Sequence, residues 1–506
     1  MPDIKEITKL IESPDKEELF IIKKAYEFAE KVHEGHKRYS GEPHFIHLFE
    51  TAKNLAELGM RGKTIAAGLL HDVIEDTAVT PNDLEEEFDK EMRFLVEGVT
   101  QLGKIKYRGM DRHNESLRKL FVAVSQDIRV LIIRLADRLH NIKTLQYMPE
   151  EKKERIAAET LEIYAPVAYR LGIRKLSKDL EDYSFPYVYP KEYEEITNIL
   201  KEHKSQKMRS LEKFHKSLRK TLAEEKVNVI KTNYRIKGIY SLYLKYLKKD
   251  KDIEKIYDIL AIRVVVPTVN DCYSALGIIH GTWRPLPKRV KDYIAFPKPN
   301  GYQSLHTTIF SGDGSIIELQ IKTQEMYMES EYGIASHLSY KKKGSGWLSL
   351  GWIYNLTPFI QKKEDIKNTP DKILNRAEEE IPGWIREFVE YQSQTSEKTL
   401  VEKMRDDFFQ QRIFIFTPKG DVIDLPIDAT PIDFAYAIHS DIGNKIFGAK
   451  VNGKMVSLNK KLHNGDIVDI QTKNSSHPTE KWAQYAVTAL AQKHIRAYLQ
   501  KKREAR

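Results

Sequence analysis

The sequence predicts a multidomain chain: an all-α domain first, an α/β or α+β domain second, and a small sheet with one helix near the end. Three observations carry this expectation. Over residues 17–183 apolar residues recur three or four apart, as in Leu131, Leu135, Leu139 and Ile142, with little strand-like alternation. The texture then changes: DILAIRVVV (258–266) reads as a buried strand, and in SIIELQIK (315–322) Ile317, Leu319 and Ile321 alternate with Glu318, Gln320 and Lys322, as in a half-buried strand. From 412 to 472 short β-rich runs are separated by the turns TPKGD and NGD. At 506 residues the chain is also too long for one core.

Taken in order, the breakers Ser40-Gly41-Glu42-Pro43 and Thr80-Pro81-Asn82-Asp83 separate helical segments, the second reading as a helix N-terminus. AAGLLHDVIEDT (66–77) reads as a helix on which His71 lies above Glu75 and Asp72 above Asp76. Residues 191–226 read as one or two basic helices with the stripe Met208, Leu211, His215, Leu218 and Leu222; they are the expected coupling element between the first two domains. Helical text at 271–280 lies between the strands of the second domain, KKKGSGW (341–347) reads as a closing loop, and charged helical text follows to about 404. The tail from 480 is helical and closes no domain, so the chain is expected to stop short of a full-length protein.

Composition narrows the class. Hydrophobic residues at 41% and charged residues at 31% indicate a globular chain. Apolar runs such as Val130–Ile133 are too short for a bilayer, and MPDIKEITKL has no secretory h-region. A single cysteine, Cys272, excludes an intrachain disulfide and a cysteine-based zinc site. These features suit a cytoplasmic enzyme or regulator without a membrane partner. The net charge of +9 permits an anionic partner but does not select one.

Two constellations carry chemistry. In the first, His47, His71, Asp72 and Asp137 offer two imidazoles and two carboxylates, a mixed set that suits manganese or iron-type chemistry better than structural zinc. Glu75 and Asp76 are placed to orient or deprotonate a bound water. Each residue also has an ordinary reading: His47 can cap or pack, and Asp137 can pair with Arg134 or Arg138. The longer text RYSGEPHFIH … LLHDVIEDT … RLADRLHNIKTL resembles the HD-type hydrolase domain of the Rel/Spo alarmone enzymes, which removes the 3′-pyrophosphate of (p)ppGpp. The resemblance implies that His47, His71, Asp72 and Asp137 hold Mn2+, that Glu75 and Asp76 are catalytic, and that Arg38, Asn141 and Thr144 bind substrate. Tyr39 and Leu48 depart from the Lys and Pro usual in the family.

In the second, RVKDYIAFPKPNGYQSLH (289–306) is dense in phosphate-compatible groups, with Tyr302 as a ring that could stack on a base. RIKGIYSLYLK adds Arg235, Lys237 and Lys245, and the acids Asp258 and Glu318 stand on separate predicted strands, placed to hold a divalent ion. A basic surface with a core tyrosine is the ordinary reading; the lack of GxxxxGK[ST] disfavours a P-loop enzyme. RIKGIYS, YDILAIRV, RVKDYIAFPKPNGYQSLHTT and IIELQIKT resemble the nucleotidyltransferase-like synthetase domain of the same family, which moves pyrophosphate from ATP to the 3′-hydroxyl of GDP or GTP.

By that resemblance Asp258 binds Mg2+, and Glu318 shares it or takes the hydroxyl proton. Arg235, Lys237, Ser241, Lys245 and Arg263 then hold ATP, and Lys298, Asn300, Tyr302 and His306 hold the guanine nucleotide. The basic Arg289-Lys291-Asp292 goes with bifunctional members. Tyr234 replaces a common Gly and is expected to narrow the ATP site.

Residues 412–473 resemble a TGS module, a small β-grasp domain that contacts tRNA on the ribosome, with His439 at the implicated histidine; a plain helix-end role is the alternative. The expected layout is an all-α hydrolase domain (1–190), an α/β synthetase domain with basic linking helices (191–345), a helical linker (346–408), the β-grasp domain (409–475) and the start of a helical region (476–506). The implied partners are ATP, GDP or GTP, (p)ppGpp, and the ribosome with uncharged tRNA. Two alternatives stand beside the bifunctional enzyme: a hydrolase whose synthetase domain only senses nucleotide, supported by Tyr234, and a ribosome- or tRNA-binding regulator with relic sites.

Overall fold

The structure is a computed structural model that describes residues 2–103, 127–298, 301–312, 315–339, 412–418, 422–463 and 465–504. The expected closing loop (341–347) and the helical linker lie outside the described residues, as does Asn300. The chain forms two compact units, the first comprising residues 1–105 and 127–345.

The first unit begins with helices. Those that build the site are α1 (Lys16–Val32), α2 (His44–Glu57), α3 (Gly62–Leu70), α4 (Val73–Asp76), α5 (Ile128–Lys143) and α6 (Arg174–Val188). Asp15 and Glu18 close a reciprocal capping box on α1. Pro43 precedes α2 with extended backbone, so the helix starts at His44. Leu48, Phe49, Ala52 and Leu55 on α2 and Leu131, Ile132 and Leu135 on α5 are fully buried; each such side chain stabilises the fold by about 1.5–3 kcal/mol. Gly68 lets α3 approach α2 closely: an added Cβ would lie 2.4 Å from Leu55 Cδ1.

The stretch 66–77 is not one helix. α3 ends at Leu70, and Asp72 turns through φ −98°, ψ 0° before α4 begins. The four-residue stacking expected of His71 over Glu75 is therefore replaced by a turn.

The long helix α7 (Pro190–Glu224) follows, then β1 (Lys231–Ile236), α8 (Ile239–Leu247), β2 (Leu260–Val266), α9 (Val269–Thr282), β3 (Lys291–Asp292), β4 (Leu305–Phe310), β5 (Ile316–Thr323) and α10 (Gln324–Tyr332). The sheet runs β1-β2-β5-β4-β3, with β2 and β5 parallel and the remaining pairs antiparallel. Leu211, Phe214, Leu218 and Leu222 of α7 share one core with Ile262, Val264, Leu305, Leu319 and Ile321. That packing makes α7 part of the sheet domain.

The seam to the helical region is carried instead by α6 and the turn before it. Asp182 Oδ1 accepts from the Tyr240 amide at 3.1 Å, and Glu181 Oε2 from Ser241 at 3.1 Å. Gly333 (φ 51°) lies against Leu171, where a Cβ would stand 2.2 Å from the carbonyl oxygen.

The second unit, taken by itself, holds β6 (Arg412–Phe416), β7 (Val422–Pro426), α11 (Pro431–Ile438), β8 (Ile446–Val451), β9 (Lys454–Val456), β10 (Val468–Thr472) and α12 (Ala489–Glu504). A parallel bridge between Phe416 and Ile467 joins the β6–β7 hairpin to the β10-β8-β9 sheet. Asn452 and Gly453, both at positive φ, make the tight β8–β9 turn. Asp433, 1% exposed, caps α11 with Thr430 and accepts from the Val487 and Thr488 amides.

Candidate active sites

The helical region brings together all four expected metal ligands. His47 Nε2 lies 3.2 Å from His71 Nε2, 3.2 Å from Asp137 Oδ1 and 3.5 Å from Asp72 Oδ2; His71 Nε2 lies 3.3 Å from Asp72 Oδ1. Donors bound at about 2.1 Å to one ion stand about 3.0–3.5 Å apart, so the set has the spacing of a coordination shell. His47, His71 and Asp137 are buried.

The tautomers follow from the network. His71 Nδ1 faces the Gly68 carbonyl at 2.8 Å and must donate, which leaves Nε2 as a lone pair toward the cluster. His140 Nδ1 accepts from Arg38 at 3.2 Å and lies 2.8 Å from His47 Nδ1, which therefore donates to it and turns a bare Nε2 inward. A divalent ion fits this donor set.

The electrostatics agree. Burial opposes ionisation of Asp72 and Asp137, yet the neighbouring His71 and Arg134 respectively, with the hydrogen bonds around them, hold both well below the usual carboxylate range. Burial also works against His71 as a cation, but Asp72 and Asp137 raise it to about 9. Glu75 is pushed up by burial and by Asp72. His140, desolvated and beside His47 and Arg38, falls to about 3 and stays neutral.

The three expected substrate residues also converge. Arg38 donates to Asn141 Oδ1 at 2.6 Å and to Thr144 Oγ1 at 3.4 Å, while Asn141 donates to Asp137 at 2.6 Å. Tyr39 is exposed and packs under Lys152. Arg134 pairs with Asp137 at 2.6 Å, so the ordinary ion-pair reading and the ligand reading hold together. Sequence reasoning missed His44 and His140 and gave Arg134 no place in the site. Each sits three residues from an expected ligand on a helix, the spacing that could have found it.

In the sheet domain, register decides which residues share a face. Arg235 pairs with Ala261 and Ala261 with Glu318; Arg263 pairs with Gln320 and His306 with Gln320, and Lys291 with His306. Arg235, Arg263, Lys291, His306 and Glu318 therefore line one face. Tyr234 pairs with Ile262 and Ile262 with Leu319, on the opposite face. Its hydroxyl lies 3.0 Å from His215 of α7. It lies partly buried against the edge of the core, on the face away from Arg235, and not beside the expected ATP-binding residues. The expected half-exposed face of β5 is covered too: Gln320 and Lys322 are buried because β5 is central.

Asp258 precedes β2 instead of standing on it. Its Oδ2 accepts from Lys237 at 2.8 Å and from Lys245 at 2.5 Å, and its Oδ1 is buried without a hydrogen-bond partner. Burial opposes its charge, but the two lysines hold the carboxyl far below its ordinary value. Glu318 lies 3.3 Å from His306 Nδ1, and His306 Nε2 lies 2.7 Å from the Tyr302 hydroxyl. Burial brings His306 down to about 4 and Lys298 down to about 7.

The orphaned Asp258 oxygen fits a cation. Ser241 is engaged by Glu181 and Arg263 by Glu331 at 2.9 Å, both toward helices. Arg289 lies over Tyr257. The Tyr302 ring is covered by cations: Arg174 at 4.3 Å, Lys322 at 4.6 Å and Lys298 at 5.3 Å from its centroid.

Residues 25–174 match the HD domain, 234–345 the region found in RelA/SpoT proteins, and 413–472 the TGS domain. The chain is 42% identical over 493 residues to a GTP pyrophosphokinase of Myxococcus xanthus, covering 96% of this chain and 61% of the relative. It is 42% identical over 487 residues to a guanosine-3′,5′-bis(diphosphate) 3′-pyrophosphohydrolase of Aquifex aeolicus, covering 96% and 65%. It is 39% identical over 492 residues to the bifunctional (p)ppGpp synthase/hydrolase RelA of Mycobacterium tuberculosis, covering 96% and 63%. Through these three regions the chain is similar to the Rel/Spo enzymes over nearly its whole length.

It spans about three fifths of the length of these Rel/Spo relatives. Among the described residues no helix is long and apolar enough to cross a membrane. In the region that matches the TGS domain, exposed His439 ends α11 and its Nδ1 accepts from the Asp441 amide at 3.1 Å, a helix-end role.

Proposed function

We propose that this chain is a cytoplasmic bifunctional alarmone enzyme, making (p)ppGpp from ATP and GDP or GTP at one centre and removing its 3′-pyrophosphate at another. The observation that carries the reading is the pairing of two complete centres in one unit: four donors at coordination spacing, and a buried acid facing two lysines.

In hydrolysis, Mn2+ held by His47, His71, Asp72 and Asp137 would polarise a phosphoryl oxygen and acidify a bound water. Arg38, braced by Asn141 and Thr144, presents its guanidinium to the substrate. Glu75, whose affinity for a proton is raised by burial, takes the proton of the attacking water, with Asp76 beside it.

In synthesis, Mg2+ held by Asp258, with Glu318 within its reach, would bridge and neutralise the triphosphate. Lys237 and Lys245 exchange Asp258 for phosphate oxygens, and Arg235 lies on the same sheet face as Glu318. Glu318, steadied by neutral His306, takes the proton of the 3′-hydroxyl. Lys298, Asn300 and Tyr302 hold the guanine nucleotide. Tyr234, on the sheet face away from Arg235, lends little support to a domain that only senses nucleotide. Contact with tRNA on the ribosome is assigned to the TGS domain and His439.

Purified protein with labelled ATP, GDP and Mg2+ is expected to yield ppGpp, and ppGpp with Mn2+ to yield GDP and pyrophosphate. Absence of the first product with Asp258 and Glu318 intact overturns the bifunctional reading.

A further inference from the structure

Beside the four expected ligands stands a second group of donors that shares only Asp72 with them. His44 opens α2, three residues before His47, and its Nε2 lies 3.1 Å from Asp72 Oδ2 and 3.3 Å from Asp76 Oδ2. Among the described residues, His44, Asp72 and Asp76 form a metal-competent cluster in their own right, next to His47, His71 and Asp137. The separations are those of donors around one ion, as in the first cluster.

Asp72 links the two. Its Oδ1 faces His71 at 3.3 Å, whereas its Oδ2 stands between His44 at 3.1 Å and His47 at 3.5 Å. A carboxylate whose two oxygens address two donor groups is arranged as a bridge. A neutral imidazole nitrogen offers one proton or one lone pair, so it cannot satisfy two carboxylate oxygens; a cation satisfies all three donors at once. The His44 ring is held in place. Buried His33 stacks on it at 5.2 Å and 10°, and the His44 amide donates to the His36 carbonyl at 2.8 Å.

We propose that this centre binds a second divalent cation through His44 Nε2, Asp72 Oδ2 and a carboxylate oxygen of Asp76, with Asp72 bridging it to the first ion. The proposal rests on the reading of the helical region as a metal-dependent hydrolase. One imidazole and two carboxylates suit manganese or magnesium. The Asp76 side chain is 44% exposed, which leaves the second ion open to solvent and substrate, as a catalytic position requires. Paired ions about 3.5–4 Å apart clamp the attacking and leaving oxygens of a phosphoester displacement. Asp76 then acts as a ligand, and Glu75 alone is left to take the proton of the water.

The test is metal stoichiometry and spectroscopy on chelator-stripped protein titrated with Mn2+. The whole chain is expected to bind two Mn2+ and to show an exchange-coupled electron paramagnetic resonance signal. His44→Ala and, separately, Asp76→Asn are expected to bind one, with an uncoupled six-line signal and unchanged far-ultraviolet circular dichroism. Asp76 is partly exposed, so its variant serves if His44→Ala fails to fold. One Mn2+ in the unaltered chain overturns the second site and leaves the hydrolase reading intact; no Mn2+ overturns both. Two ions that persist in both variants also overturn the site, because they lie elsewhere.

Discussion

The two centres of the first unit handle buried acid in opposite ways. In the helical region Asp72 is met by imidazoles, whose lone pairs can serve a metal, and Asp137 by His47 and by Arg134. In the sheet domain Asp258 is met by Lys237 and Lys245, which keep their charge and must be drawn away by something more anionic. The first centre is thus assembled around the place of a cation, while the second neutralises itself until a polyphosphate arrives. Tyr302 shows the same contrast: its ring is covered by Arg174, Lys298 and Lys322, whereas Arg38 beside the hydrolase cluster is held by hydrogen bonds to Asn141, Thr144 and His140.

Separateness of the centres is the first thing to break. Asp72→Ala is expected to lower ppGpp hydrolysis more than about 10²-fold, since even outer-shell partners of metal ligands are worth about 10–100-fold. Synthesis should stay near its original rate, and Glu318→Ala should do the reverse. Loss of both activities from either variant, with the fold intact by circular dichroism, would merge the two centres into one.

A smaller effect is expected at Arg174, which reaches from the start of α6 to the Tyr302 ring. A cation–π contact is worth about 0.5–2 kcal/mol. Arg174→Ala should therefore lower KM for GDP in synthesis by about two- to thirtyfold with little change in hydrolysis. A raised KM would mean that Arg174 holds the nucleotide instead of covering its place.

The smallest effect lies at the seam. Burial pushes the Glu181 carboxyl up to about 7, with the Ser241 hydrogen bond opposing and Asp182 adding to it. Between its ordinary value of 4.5 and about 7 the unfolded chain loses this proton while the folded chain keeps it. Stability is therefore lost as pH rises through that window. Glu181→Gln should raise the melting temperature by about 2–4 °C at pH 8 and leave it nearly unchanged at pH 4.5. Equal shifts at both pH values would trace the effect to packing.

The domain order, the strands around 260 and 318, the helix N-terminus at Thr80 and the residues that meet at the donor cluster, His47, His71, Asp72 and Asp137, were all legible in the sequence. Each is written in a local pattern: apolar spacing, a capping pair, or a short motif. The turn at His71–Asp72 was not, because the helix period continues through it and only the packing of α3 on α2 shows where the chain must bend. The apolar stripe of α7 was legible too, but its partner was not: only the structure seats it against the strands of the sheet.

By itself, then, the sequence determined which residues are chemically able to act: the histidines and acids of one region, the lysines and acids of the other. Tertiary structure alone decided who faces whom. Strand register sent Tyr234 and Arg235 to opposite faces of the sheet, and helix packing brought His44, His140 and Arg134 to the ligands and Arg174 to Tyr302. The physical reason is that periodicity reports the faces of one element, whereas a site is made where the faces of several elements meet.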